Sequence, residues 1–492
     1  MGTQLGLFKI KFPVKAISFE TPSQNQNYWQ FKLFSCLWAL SVLFHMANRG
    51  IYDTKLIYAL LSLASIFVVF KPGNFFGFVT LLSLQIYDLV YAMPEVPNHL
   101  LFAGIVSLTI LQALFYLIFK NKSFQINQDE WFKTFAPIIR IEVIILYFYA
   151  VFQKLNSGFF LPEVSCASDL LYAQPLPSFI SLTPNLVSFN AYFTLIIEGG
   201  IPVLLFFKRT RHWGILLGLI FHTILSYSTF NGFYDFSSMV FAAYLVFASP
   251  QLSSFIAGQW AKLKKITSAT TIHSEFNYMK LFLLVGGFLG GLALIHVLNK
   301  KLFDFHAFHL YFFWTGYSLI YIGLFLTFMF REAINYKEAD KPFRLMHWSF
   351  VIFPVVVFIN GMSPYLGLKT EHSYSMFSNL RTEGGISNHY IMPASLQIFD
   401  YQKDLVEIIS SSDAKLQELA DTNNLMVFFS FKDHVARMRP ERVEYIRNGV
   451  HQTFELSKAS GNDDLLIKNN IILRKLFWFR PVSKLSPQPC NH

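Results

Sequence analysis

The sequence predicts an all-α polytopic membrane protein of about eleven transmembrane helices, with a small α+β domain at its C-terminus. Three observations predict it. Hydrophobic residues fill 53% of the 492 positions and charged residues only 14%, too few charges to cover a soluble chain of this length. Apolar runs near 20 residues recur along the first three quarters of the chain. Each can cross a hydrocarbon core of roughly 30 Å as a helix. The runs do not alternate in polarity, as Leu281 to Val285 shows, and this excludes a transmembrane β-barrel.

In order, spans are expected at 31–47, 56–70, 75–93, 100–119, 137–155, 190–207, 213–231, 235–256, 279–298, 309–330 and 347–361. Lys71-Pro72-Gly73-Asn74 is a breaker that separates the second from the third. Residues 1–30 lack the apolar core of a cleavable signal peptide, so the first span is expected to act as the insertion signal. With the N-terminus inside, the inside segments hold 17 Lys and Arg residues, against four outside: Arg49, Lys55, Lys300 and Lys301. This bias predicts a cytoplasmic N-terminus and an extracytoplasmic C-terminal tail, as in a bacterial inner-membrane protein. Four regions follow: a cytoplasmic segment at 1–30, a transmembrane domain at 31–256, additional transmembrane helices at 257–361, and the tail domain at 362–492. The net charge of +10 sits in short loops and does not point to nucleic acid.

The tail regains polar residues. Asp404 to Ile409 reads as a helix and Leu425 to Phe431 as a buried strand. Arg442 to Arg447, Asn448-Gly449 and Val450 to Leu456 read as a β-hairpin, because Asn-Gly supplies the positive φ angles of a tight turn. Cys36 falls inside the first span and reads as a small buried hydrophobe. Cys166 and Cys490 share the extracytoplasmic side, but two distant thiols define no framework, and a disulfide between them is not the expectation.

Polar groups at membrane depth are costly and mark function by default. Asp88, His99, Lys154 and Asp235 fall in the outer half of their spans, with His222 near mid-depth, the layout of a cavity opening outward. Lys154, at the edge of its span, either snorkels to the headgroups or does chemistry in that cavity. His222 reads equally as a bond between helices or as a catalytic group. Glu198, before Gly199-Gly200 and Pro202, is expected to make a structural hydrogen bond with His222. Arg140 and Glu142 lie two apart on different helix sides and read as inner-rim groups. His296, His306 and His309 match no tight ligand spacing, and no metal is expected. Glu371, His372, Arg381, Glu383 and His389, after the last span, either roof the cavity or belong to a loop-rich linker.

Tyr147-Phe148, Ala150 and Gln153-Lys154-Leu155-Asn156 resemble the YF-A--KKL(D/N) signature of the horizontally transferred transmembrane (HTTM) family, which includes the vitamin K-dependent γ-glutamyl carboxylases. Asn98-His99 and Leu101 resemble its NNH-YL stretch, and Phe221-His222 and Ala248-Ser249-Pro250 resemble two further motifs in the same order. The stretch from Ser363 to His389 resembles a block that follows this domain in bacterial relatives. The resemblance spans roughly residues 31–256, with Gln153 standing where the family has the first of two lysines.

The resemblance implies a carboxylase-like enzyme. Lys154 would be the base that deprotonates a reduced vitamin K-type quinol entering from the bilayer. Oxygenation of the quinol by O2 then creates a stronger base, which takes a γ-proton from glutamate, and the carbanion captures CO2. An apolar pocket would favour the neutral amine that such a base requires. His99 falls where the family's carbanion-stabilising histidine lies, and His222 and Asp88 would contact the quinol. A protein or peptide substrate on the extracytoplasmic side and membrane lipid are the partners implied. The alternatives are a lipid- or quinone-binding protein without catalysis, a transporter, and a scaffold whose outer domain binds a partner.

Overall fold

The computed structural model describes residues 28–48, 55–174, 181–228, 232–268, 308–331, 342–461 and 463–490. The span expected at 279–298 lies outside these residues, as do His296, His306 and the side chain of His309. The described spans run α1 (Tyr28–Asn48), α2 (Leu56–Phe70), α3 (Phe75–Ala92), α4 (Asn98–Asn121), α5 (Gln128–Phe152), α7 (Pro184–Phe206), α8 (Arg211–Leu225), α9 (Tyr234–Tyr244), α10 (Pro250–Ser268), α11 (Phe308–Arg331) and α12 (Ile352–Leu366). A short α6 (Cys166–Tyr172) precedes α7. Seven of the described helices are long and apolar enough to cross a membrane, or eight if one bent pair is a single span. Helices α2 and α8 are apolar but only 15 residues long. Eleven spans are therefore not shown.

Starts are set by side-chain caps. Asn74 accepts from the Gly77 amide at 2.8 Å to open α3, and Asn127 accepts from the Asp129 amide at 2.9 Å to open α5. The expected span at 235–256 is not one helix. After α9 a short 3₁₀ turn, Leu245–Phe247, ends the run, and α10 leaves at 113° to it. The cause is Pro250 at the first position of α10. Proline offers no N–H to the preceding turn and pushes Ser249 out of helical geometry. Arg140 satisfies this broken end: its Nε donates to the Val246 carbonyl at 2.6 Å and its Nη1 to the Pro342 carbonyl at 2.8 Å.

Helix α5 is central and packs against α1, α4, α7, α9 and α12. The core around it is aromatic, with Trp38, Trp131 and Trp314 fully buried. Indole N–H groups need acceptors in such a place. Trp131 donates to the Ile110 carbonyl at 2.9 Å and Trp38 to Gln85 Oε1 at 3.1 Å.

The tail carries β1 (Leu405–Ser411), α13 (Ala414–Asp421), β2 (Asn424–Val427), α14 (Phe428–Met438), β3 (Arg442–Arg447), β4 (Val450–Glu455), α15 (Ile471–Leu476) and β5 (Val482–Ser483). The antiparallel sheet has the order β4-β3-β1-β2-β5. The β3–β4 hairpin forms as expected, with Arg447 opposite Val450 and positive φ at Asn448 and Gly449. Two expectations fail. The segment after Asp404 is strand β1, because alternate Val406 and Ile408 enter the domain core beside Phe431 and Val443. The strand at 425–431 stops at Val427, and Phe428 to Met438 is an amphipathic helix that buries Phe431 and Val435.

The tail is fastened to the bundle. Lys475 Nζ donates to the carbonyls of Val90, Tyr91 and Met93 at 3.2, 2.9 and 2.7 Å, capping the end of α3. Cys166 and Cys490 form a disulfide, contrary to the expectation from their spacing. The fold brings together two residues that sequence distance kept apart.

Candidate functional site

A cavity of about 790 Å³ opens at the end of the bundle that carries the tail. Its walls are mostly apolar, among them Leu146, Phe193, Phe221, Phe236, Met376 and Trp478. Lys154, Glu198, His99, Asp235, His222, Glu371 and Arg480 also line it. An apolar chamber with a few convergent polar groups is the usual form of a small-molecule site.

Lys154 is placed by the way α5 ends. The helix stops at Phe152, and the Lys154 amide donates to the Val151 carbonyl at 3.1 Å in a closing turn. Three neighbours lock that turn to the tail. Gln153 Nε2 donates to the Gly361 and Ser373 carbonyls, both at 2.9 Å. Asn156 Nδ2 donates to the Gln153 carbonyl at 2.9 Å and to Ser378, while its backbone pairs with His389. His389 Nε2 donates to the Phe152 carbonyl at 2.8 Å, and its Nδ1 accepts from the Ile391 and Met392 amides at 3.0 Å. Gln153 thus has a structural task that a lysine could not perform, since it is fully buried between two carbonyls and its amide carries no charge.

The Lys154 side chain does not snorkel. It is 7% exposed and its Nζ donates to Glu198 Oε2 across from α7. The surroundings are not the purely apolar niche that was expected, because the amine faces a carboxylate. Glu198 likewise departs from its expected role: its partner is Lys154 rather than His222. His222, from α8, sits 2.6 Å from the Tyr147 hydroxyl, which in turn contacts the Tyr244 hydroxyl. Gly218, one turn before His222, makes room for this chain, since a Cβ there would overlap the Tyr244 ring and hydroxyl.

The second polar group lies on the opposite wall. His99, in the first turn of α4, places Nε2 3.1 Å from Asp235 Oδ2 at the start of α9. The preceding Asn98 accepts from the Tyr374 amide at 2.6 Å, tying the start of α4 to the tail segment. Asp88 does not line this cavity. It borders a separate one of about 20 Å³ with His45, Tyr58 and Gln85. Arg140 and Glu142 also do not line the large cavity. Glu142 is fully buried and accepts from Thr109 Oγ1 at 2.6 Å.

The segment after α12 serves as a wall rather than a linker. Glu371, Tyr374, Ser375, Met376 and Phe377 face the cavity. His372, Tyr374, Phe377 and Asn379 all hold positive φ, at 38°, 66°, 49° and 55°. Non-glycine residues pay steric strain there, and such strain concentrates where geometry is tied to function. Of the other expected roof residues, Glu383 pairs with Arg480 at 3.2 Å, and Arg381 Nη1 donates to the Ser483 carbonyl at 3.2 Å. Lys369 Nζ lies 2.9 Å from His372 Nδ1. Burial pushes the Lys369 amine down to about 7, and it drives the Glu371 carboxyl upward. Neither Lys369 nor the Arg480 contact carried a sequence signal; both lie in the tail, whose packing on the bundle sequence patterns do not encode.

No family model, curated protein or solved structure matches this chain.

Proposed function

We propose that the protein is a carboxylase-like integral membrane enzyme in which Lys154 is the base and the cavity receives a quinol or similar lipid. The observation that carries the reading is that Lys154 and His99, from helices far apart in sequence, line one largely apolar chamber. The reading adds a partner to the base. Glu198 contacts Nζ, so the amine can hand its proton to the carboxylate and then accept one from the bound molecule. His99, held by Asp235, offers an oriented imidazole on the far wall. His222 and Tyr147 form a polar lining between them.

The fit to a quinol rests on the walls. Their rings suit a flat apolar headgroup, and the half-exposed Phe193 and Ile224 leave an apolar flank for entry from lipid. When bound, the quinol would supply the oxygen-driven step that generates a base stronger than any side chain. The disulfide supports an extracytoplasmic tail, because such bonds persist in oxidising compartments. Together with the positive-inside count, it puts the cavity on the outer side. A transporter is less well supported, because Arg140 and Glu142 are engaged away from the chamber. A lipid-binding protein without catalysis would use the same walls.

The test is incubation of purified protein with reduced quinol, O2, labelled bicarbonate and glutamate-containing peptides. Label in peptide together with quinone epoxide is the expected result, lost in Lys154→Ala. Turnover that survives in Lys154→Ala ends the proposal.

A further inference from the structure

His45, which carried no motif, lies in the interior of α1, yet its ring meets the same carboxylate as His99. Nδ1 of His45 is 3.4 Å from Asp235 Oδ2, and Nε2 of His99 is 3.1 Å from it. The three donor atoms lie within 4.8 Å of one another, on three different helices. His45 and Asp235 are buried, and His99 is nearly so.

Hydrogen bonding alone explains this cluster poorly. Asp235 Oδ2 already accepts from Asn48 Nδ2 at 2.9 Å, and His99 lies at a normal bonding distance. These two contacts occupy its two lone pairs. His45, at 3.4 Å, is beyond the ordinary N–H···O range of about 2.7–3.2 Å. The spacing instead suits ligands that share a cation. Bonds of about 2.1 Å to nitrogen and oxygen, opened to tetrahedral angles, set neighbouring donors about 3.4 Å apart.

We infer that His45, His99 and Asp235 bind a divalent transition-metal ion of the zinc or ferrous type. Two imidazoles and one carboxylate form a donor set suited to those ions, and not to calcium or magnesium, which take all-oxygen sites. The outer contacts needed to aim the carboxylate are present. The Phe236 amide donates to Oδ1 at 2.6 Å, Asn48 donates to Oδ2, and Tyr234 donates to Asn48 Oδ1 at 3.1 Å. His99 and Asp235 face the 790 Å³ cavity, while His45 belongs to the small cavity behind them. The ion is therefore held from one side and presents its remaining positions to the chamber, the arrangement of a catalytic rather than a structural site. This site does not depend on the carboxylase reading, because it is tested by binding and not by turnover.

The experiment uses the full-length chain in detergent, stripped with chelator and titrated with Co²⁺ alone, then with Zn²⁺ as competitor. About one Co²⁺ per chain is expected, with visible d–d bands that Zn²⁺ abolishes. His45→Ala and Asp235→Asn should weaken binding by at least about 100-fold, and Asn48→Ala, which removes only an orienting contact, by about ten-fold. Lys154→Ala should bind as the unmodified protein does. Zn²⁺ should also raise the unfolding temperature of the unmodified protein. An unmodified protein that takes up no Co²⁺, or a folded His45→Ala that takes it up with unchanged affinity, overturns the inference. If His45→Ala and Asp235→Asn do not fold, the unmodified titration and the Asn48→Ala affinity decide it, and equal affinity in Asn48→Ala overturns it. Success here with no carboxylation would retire the quinol reading alone.

Discussion

Lys154 and Glu198 form a pair whose energetics can be worked from their positions. The two side chains are 7% and 12% exposed, so both charges are largely removed from bulk water. Removing one member of a fully buried pair costs about 3–5 kcal/mol, because the other charge is left uncompensated. The adjoining cavity admits some water, so about 2–4 kcal/mol is expected for Lys154→Met or Glu198→Gln alone. Replacing both removes the stranded charge, and the double variant should lie within about 1 kcal/mol of the unmodified protein. The coupling energy from the cycle is then about 2–3 kcal/mol or more, well above the noise of such measurements. The assay is equilibrium unfolding in mixed detergent micelles, run on the four proteins in parallel. Additive single effects, or a Glu198→Gln variant as stable as the parent with Lys154 intact, would refute the pairing and with it the proton-handover role of Glu198. Turnover should be lost in both single variants and should not return in the double one, which separates stability from chemistry.

Three further outcomes are expected. The Lys369 amine is held near 7 by burial, below the unfolded value of about 10.4, so the unfolded chain carries more protons between those limits. Stability should therefore rise with pH across roughly 7 to 10, by at most about 1.4 kcal/mol per unit, and show no such slope below 7. Lys369→Met should remove the rise, and identical pH profiles for parent and variant would contradict it. Gly218→Ala should push Tyr244 away from Tyr147, at a cost of about 1–3 kcal/mol. Altered tyrosine fluorescence with lowered stability checks this, and a neutral substitution would show that the helices relax freely. Reduction of the Cys166–Cys490 bond, or Cys490→Ser, should cost about 2–4 kcal/mol, read as a lower unfolding midpoint in the presence of reductant. An unmoved midpoint would show that the other tail contacts suffice.

Much of the helical framework was legible because apolar runs at membrane length have few other outcomes, and Lys154 stood out because a charge at the edge of such a run is costly. Its neighbourhood was less legible. Glu198 looked like a partner for His222 because both lie near mid-depth, but depth carries no azimuth, and α7 turns Glu198 toward α5 instead. His45 was invisible for the same reason: a lone histidine inside α1 acquires meaning only when α4 and α9 bring His99 and Asp235 to it. Asp88 was placed with the chamber on depth alone and lies in the neighbouring small cavity. The bend at Ser249-Pro250 had a clear local signal that hydropathy averaging over 235–256 concealed. Strand β1 was read as a helix even though Val406, Ile408 and Ile409 favour a strand, because Glu407 lent it a helical polar rhythm.

The grip of His389, Gln153 and Asn156 on the end of α5 has a consequence for biosynthesis. The residues that hold Lys154 in place lie more than two hundred positions downstream of it, at Ser373, Ser378 and His389. While the ribosome is still translating the later helices, the amine has none of these anchors and the chamber lacks its lid. Competence is thus conferred late in translation, when the tail docks, and a chain stalled before that point would sit in the bilayer as a harmless bundle.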